Sequence, residues 1–229
     1  MRDEFGYYPI EGKDRVSVTT VLSLIDKPGL RYWFGKHGTT ECNRLSKLAA
    51  GIGTDLHSYD EYYFGEAEVP PQNNNPQYLN AVKNYHRFMD LLKPKNIVGN
   101  LLVHNEDGED TYAGTLDRIM ETGPYSILWD YKTSSEIYDE YIIQVNAYYG
   151  ALAYCVRKGI IKIDRLPEKV GILRLDKEEE FNPEKDILVL DPDKKILETF
   201  FNLLKSFNGL HNLKQYRKET HAINWNDLK

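Results

Sequence analysis

The sequence has too little cysteine to be organised by it. Cys42 and Cys155 are the two cysteines in 229 residues, and neither belongs to a CxxC pair. That excludes a disulfide framework and a four-cysteine zinc or iron–sulfur site within one chain. Both read as core thiols. No apolar run approaches the ~20 residues of a membrane-spanning helix. The opening MRDEFGYYPIEGK also lacks the basic-then-apolar pattern of a signal peptide. No membrane partner is expected, and the expected location is a cytoplasm, that of the host if the chain is viral. A basic surplus is missing too, since 29 lysines and arginines face 35 acids for a net charge of -6. This counts mildly against nucleic acid, which is held by cations. It leaves room for a local basic groove, or for carboxylates neutralised by divalent metal.

What is present is ordinary for a soluble globular chain, with 41% apolar and 28% charged residues. The length suits one domain over 1–229, with a helical part over 17–92, a core over 97–207 and a polar tail over 208–229. Ser17 reads as the cap of a helix that Pro28 and Gly29 stop. LRYWFGK, from Leu30 to Lys36, adds a helical turn or two, and a further helix runs from Thr40 to Phe64. VPPQNNNP, from Val69 to Pro76, is a loop. Pro76 to Leu92 is an amphipathic helix with Tyr78, Leu79, Val82, Tyr85, Phe88, Met89 and Leu92 on its core stripe. Strands at 97–104, 111–120 and 125–132 form a meander. A helix over 138–156, strands at 170–175 and 186–190, and a helix over 193–207 follow. This is an α/β plan, a central mixed sheet flanked by helices.

Chemistry concentrates between Tyr112 and Tyr148. Asp117 closes one strand, and Asp130, Tyr131 and Lys132 end the next as an Asp-x-Lys triplet. Residues two apart on a strand point the same way, so Asp130 and Lys132 share one face and Trp129 and Tyr131 the other. Carboxylates on a rigid sheet are ligands that Mg²⁺ or Mn²⁺ prefers, and a lysine beside them can hold or deprotonate a metal-bound water. Taken alone the triplet is weak, because strand ends carry surface ion pairs anyway. His57 stands one turn from Glu61, and an isolated helical histidine is more often structural than catalytic. Gly51 and Gly53 before it suggest close approach of something to the helix backbone. Arg31, Tyr32, Trp33 and Lys36 have the composition that stacks on bases and holds phosphates. The residues alone favour the blander reading of an anchor with snorkelling charges.

The ordered set Ser17-Val-Thr, Gly53-Thr-Asp-Leu-His57, Tyr112-Ala-Gly-Thr-Leu-Asp117, Asp130-Tyr-Lys-Thr-Ser134 and Gln144-Val-Asn-Ala-Tyr148 is far more specific than any member. Over residues 17–152 the chain resembles the RecB-like exonuclease branch of the PD-(D/E)XK nucleases, and in detail the mitochondrial genome maintenance exonucleases with their phage and bacterial relatives. The resemblance implies a restriction-endonuclease-like core and a DNA exonuclease, acting from single-stranded ends in repair, recombination or replication. It implies a two-metal Mg²⁺ or Mn²⁺ site, with His57, Asp117, Asp130 and the Tyr131 carbonyl as ligands. Lys132 would position or activate water, and burial with the metal charge would keep it partly deprotonated if it acts as a base. Gln144 and Tyr148 would support it, and Glu61 would be an accessory acid. Arg31, Tyr32, Trp33 and Lys36 become candidate DNA contacts. An endonuclease of the same fold and a catalytically inactive DNA-binding subunit are the competing readings. With two cysteines the chain resembles the branch without an iron–sulfur cluster. Relatives often carry a glutamate on the strand before the first acid. Here that strand ends Leu102-Val-His104-Asn-Glu106, with no clear counterpart.

Overall fold

β4 (Asp110–Thr122), rich in β-branched and aromatic residues, is the strand to which the rest of the sheet attaches. A computed structural model describes residues 2–108 and 110–219. β3 (Lys95–Asp107) runs antiparallel along one edge of β4. The other edge is shared. β5 (Tyr125–Lys132) pairs antiparallel with it from Arg118 to Thr122, while β2 (Lys13–Ser17) pairs parallel with it at Tyr112 and Ala113. Beyond β2 lies β1 (Tyr7–Ile10), and beyond β5 lie β6 (Lys169–Arg174) and β7 (Ile187–Leu190). The result is a seven-stranded mixed sheet with helices on both faces.

The hairpin of β1 and β2 is absent from the sequence-based plan. Its two-residue turn, Glu11 and Gly12, takes φ values of 51° and 76°, the doubly positive geometry that matches strand twist. Glu-Gly is not the usual Asn-Gly or Asp-Gly signal, and Pro9 inside β1 argues against a strand unless it lies at an edge, as this one does. Ser17 does cap a helix, accepting from the Thr20 N–H at 3.1 Å, but α1 (Val18–Leu22) ends well before Pro28. Pro28 instead opens α2 (Pro28–His37), at the position where a missing N–H costs nothing. α3 (Thr39–Tyr63) and α4 (Pro76–Leu92) follow expectation, except that Leu79 of the proposed stripe is exposed. After α5 (Asp139–Arg157) and the single turn α6 (Pro183–Asp186), α7 (Lys194–Glu219) extends well past Phe207 into the expected polar tail. The remainder of that tail, 220–229, lies outside the described residues. None of the helices among the described residues is long and apolar enough to cross a membrane.

Two cores result. Beneath α1, α5 and α7, Leu116, Ile119, Leu128, Val145, Leu152, Ile172 and Phe200 pack together, and Cys155 is buried among them. Beneath α3 and α4, Leu56, Tyr85, Phe88, Trp129 and Tyr131 pack together. Trp129 and Tyr131 thus occupy the face opposite to Asp130, as alternation requires. His104 and Glu106 sit away from the other acids, in a polar cluster with Arg15 and Cys155.

Arg118 is wholly buried on the α3 side. Its Nε donates to Asp60 at 2.7 Å, and its two terminal nitrogens reach the Glu66 oxygens at 2.8 and 3.0 Å. The guanidinium lies 4.1 Å from the Phe64 ring centroid. A Cβ on Gly99 would strike the guanidinium, which explains a glycine inside β3. Removing one partner of such a pair leaves a buried uncompensated charge. Arg118→Leu is therefore expected to cost about 3–5 kcal/mol in urea unfolding, whereas a loss below about 1 kcal/mol would mean that water takes over for the guanidinium.

Candidate active site

Between Ala113 and Arg118 no strand among the described residues pairs with the second edge of β4. The site occupies this fork. The β4–β5 ladder stops at Arg118 opposite Trp129, and the strands part. There the Asp117 side chain takes the place of a ladder carbonyl, its Oδ2 accepting the Tyr131 N–H at 2.6 Å. Leu116 and Ile119, three apart, both pack under α5, so the facing slips by one residue around Asp117. Asp117 Oδ1 lies 3.3 Å from His57 Nδ1, and the His57 ring stacks on Tyr131 at 6.4 Å.

Asp130 is almost wholly buried. Its Oδ1 accepts from Gln144 Nε2 at 3.2 Å, and the same nitrogen donates to the Tyr148 hydroxyl at 2.9 Å. Its Oδ2 faces Lys132 Nζ at 2.6 Å as an ion pair, yet accepts no aligned hydrogen bond. Lys132 Nζ also lies 5.0 Å from the centroid of the Tyr141 ring. Burial pushes the Asp130 carboxyl up, Lys132 pulls it back, Asp117 raises it again, and the outcome is upward. Burial also works against the Lys132 ammonium, but Asp130 and Asp117 outweigh it and hold it above its ordinary value. The protein's own groups thus favour the charged form of Lys132. Burial, with the carboxylates of Asp130 and Asp117, keeps Tyr148 a phenol.

A cavity of about 440 Å³ is lined by His57, Asp117, Asp130, Lys132, Gln144 and Tyr148 together. The structure therefore gathers six of the residues singled out from the sequence. Tyr131 is not among the residues that line this cavity and meets the site through its N–H, which Asp117 Oδ2 accepts. Glu61 lines the cavity but is bound by Asn100 Nδ2 at 2.6 Å, while its buried neighbour Asp60 takes Tyr85 and Arg118. Of the four α2 candidates, Arg31 lines a cavity of about 750 Å³ that also contacts Lys132, and Trp33 lines another of about 550 Å³. Tyr32 and Lys36 are exposed on α2 and line none of the four cavities described. Arg2, Tyr8 and Thr115 at the cavity were not anticipated, because the hairpin that brings Tyr8 there was not. Asn100 was missed as well. It stands in β3 between the partners of Leu116 and Arg118, with φ at 47°, a conformation asparagine tolerates and β-branched residues do not. The Gly99-Asn100 pair inside a strand pattern was its available signal.

The donor set fits a hard divalent cation in part. Adjacent ligands of an octahedral ion at about 2.0–2.1 Å lie about 3 Å apart, close to the His57–Asp117 separation. The buried Asp130 oxygen without a hydrogen bond is a further donor. No group of three His, Cys, Asp or Glu side chains is gathered as a closed cage among the described residues. The arrangement suits Mg²⁺ or Mn²⁺ held by one or two carboxylates, with waters and a ligand's oxygens completing the shell.

Gly114 shows how tightly α5 is set against the fork, since a Cβ there would overlap the Tyr148 ring. Gly114→Ala is expected to cost about 1–3 kcal/mol in urea unfolding, and most of that cost should vanish in a Tyr148→Ala background. Equal costs in the two backgrounds would show that the ring is not what Gly114 accommodates.

No family model matches the chain, and no curated protein matches it. Among solved structures, the crystal structure of SSO0001 is similar over 89% of this chain and 79% of its own, at 12% identity and a TM-score of 0.44, a likeness too distant to carry an argument.

Proposed function

We propose that the chain is a divalent-metal-dependent deoxyribonuclease of the PD-(D/E)XK type, an exonuclease acting from single-stranded ends in repair, recombination or replication. The observation that carries this reading is the convergence on one cavity of Asp117, the Asp130–Lys132 pair, the Gln144–Tyr148 pair and His57. Two carboxylates able to hold a divalent cation, beside a lysine able to hold water or a phosphoryl oxygen, suit metal-assisted hydrolysis of a phosphodiester. A bound Mg²⁺ or Mn²⁺ would make water a better nucleophile and offset charge on the phosphoryl oxygens. His57, as an imidazole donor, suits Mn²⁺ better than Mg²⁺.

The side chains divide the remaining work. Asp117 and Asp130 would hold the cation. Gln144 fixes the Asp130 oxygen that faces α5, so the carboxylate cannot rotate freely. Lys132, charged and confined between Asp130 and the Tyr141 ring, is placed to hold water or a phosphoryl oxygen by hydrogen bonding. Tyr148, kept as a phenol, retains a proton to donate.

The test is a time course on linear and circular single-stranded DNA with EDTA, Mg²⁺ or Mn²⁺, run with wild type, Lys132→Ala and Asp117→Asn. Wild type should degrade linear strands only, with metal only, faster with Mn²⁺, and each variant should lose at least about 10²-fold in rate. Cleaved circles would indicate an endonuclease. Binding of DNA without cleavage in either metal would indicate an inactive binding subunit.

A further inference from the structure

Lys177 has no ion-pair partner among the described residues. Its neighbours differ, because Lys83 and Arg87 both reach Glu180 and Lys185 approaches Glu179. Lys177 is half-buried and stands where two cavities meet, of about 320 and 550 Å³, each of which it lines together with Ala49 and Ser134. The smaller one also contacts His57 and Lys132. It is thus continuous with the fork, on the side toward α3.

The chain invests heavily in placing this lysine. The Leu175 N–H donates to the Lys132 carbonyl at 2.7 Å, tying the segment to the triplet. The carbonyl of buried Asp176 accepts from Asn80 and Asn84 at 3.2 and 2.9 Å. Its Oδ1 accepts the N–H groups of Glu178 and Glu179, each at 2.7 Å, and its Oδ2 accepts from Arg174 at 2.6 Å. The Lys177 backbone is therefore held on both sides while its ammonium is left free. Thr133, next to Lys132, adds a hydroxyl to the same wall, while the Ser134 hydroxyl beside it is taken up by the Glu136 carbonyl at 2.7 Å. Opposite them a Cβ on Gly53 would meet only Thr133 Oγ1, at an ordinary 3.7 Å. The protein's own packing does not require that glycine, and without a side chain there the cavity stays open.

We infer that this cavity is a second phosphate subsite, taking the backbone phosphate of single-stranded DNA next to the one at the fork, with Lys177 as its cation and Thr133 as its hydroxyl donor. The inference rests on the nuclease reading. An unpaired cation, a hydroxyl and a roof free of side chains suit a passing phosphodiester and read no base, so the subsite contributes affinity without sequence preference.

The experiment measures binding of a fluorescent oligothymidylate by anisotropy across a salt series, in Ca²⁺, which supplies charge without the octahedral geometry of Mg²⁺. Cleavage kinetics are followed in Mn²⁺. Relative to wild type, Lys177→Gln should reduce the slope of log affinity against log salt by about 0.7, one single-strand phosphate contact. It should raise KM several-fold while leaving kcat and Tm unchanged. Lys177→Arg should restore binding, and Lys177→Glu should weaken it further. Wild-type slope and affinity in Lys177→Gln would overturn the subsite, as would a fall in kcat at constant KM. Absence of both binding and cleavage in wild type would instead overturn the nuclease reading on which the subsite rests, so the two failures are distinguishable.

Discussion

The constraint on which this structure depends is that one edge of β4 serves two different strands and neither covers its middle. β5 leaves at Arg118 and β2 ends at Ala113. A strand edge left open in the interior of a sheet must find other partners for its neighbours' polar groups. Here Asp117 supplies one by accepting the Tyr131 N–H, and the Tyr148 ring covers the bare backbone at Gly114. The opening is thus kept from collapsing by the side chains that give it chemical character. It resembles in logic the crevices where open α/β sheets bind ligands, at points where neighbouring strands diverge.

Each wall of the fork is anchored separately. Arg118, next to Asp117 in sequence but buried on the α3 side, binds Asp60 and Glu66 and so fixes α3, the helix that carries His57. Stacking on Tyr131 adds a second restraint on the His57 ring. On the opposite side Gln144 and Tyr148, one turn apart on α5, meet Asp130 through one shared amide nitrogen. Lys132 belongs to the same side, paired to Asp130 and lying by the ring of Tyr141 on α5. Positioning by buried helices and strands, rather than by loops, is what gives a site of this kind a fixed geometry.

How far the sequence revealed this follows from the range of the signals involved. Alternation placed Asp130 and Lys132 on one face and Trp129 and Tyr131 on the other, and helical spacing paired Gln144 with Tyr148, because both rules act within a few residues. The fork itself was not legible. It needs β2, whose hairpin turns through Glu11-Gly12 and includes Pro9, and it needs the long-range pairing of Val16 with Tyr112. Arg118 looked like one of many charged residues, since nothing local tells a strand arginine that Asp60 and Glu66 will enclose it. Asn100 carried a local signal in Gly99-Asn100, but its meaning depends on lying across from Asp117. Tyr32 and Lys36 fell on the solvent side of α2 because helical rotation separates them from Arg31 and Trp33.

The net charge of -6 bears on the proposed function in a way that counting alone does not disclose. Several acids near the cavities are already matched, Asp26 with Arg31, Glu140 with Lys27 and Asp60 with Arg118. Glu61 meets the Asn100 amide, and Asp117 the Tyr131 N–H and the His57 imidazole, so neither is matched by a lysine or arginine ion pair among the described residues. On the nuclease reading, a phosphate approaching the fork would be repelled by these two carboxylates unless they were neutralised. The acids that make the chain look unsuited to DNA would then impose a divalent-metal requirement on binding at the fork as well as on cleavage. Lys177, lying beyond the carboxylates and free of any partner among the described residues, would attract a phosphate whether or not they are neutralised. Affinity at the fork and affinity beside it should therefore respond differently to metal, because one is limited by fixed negative charge and the other is not.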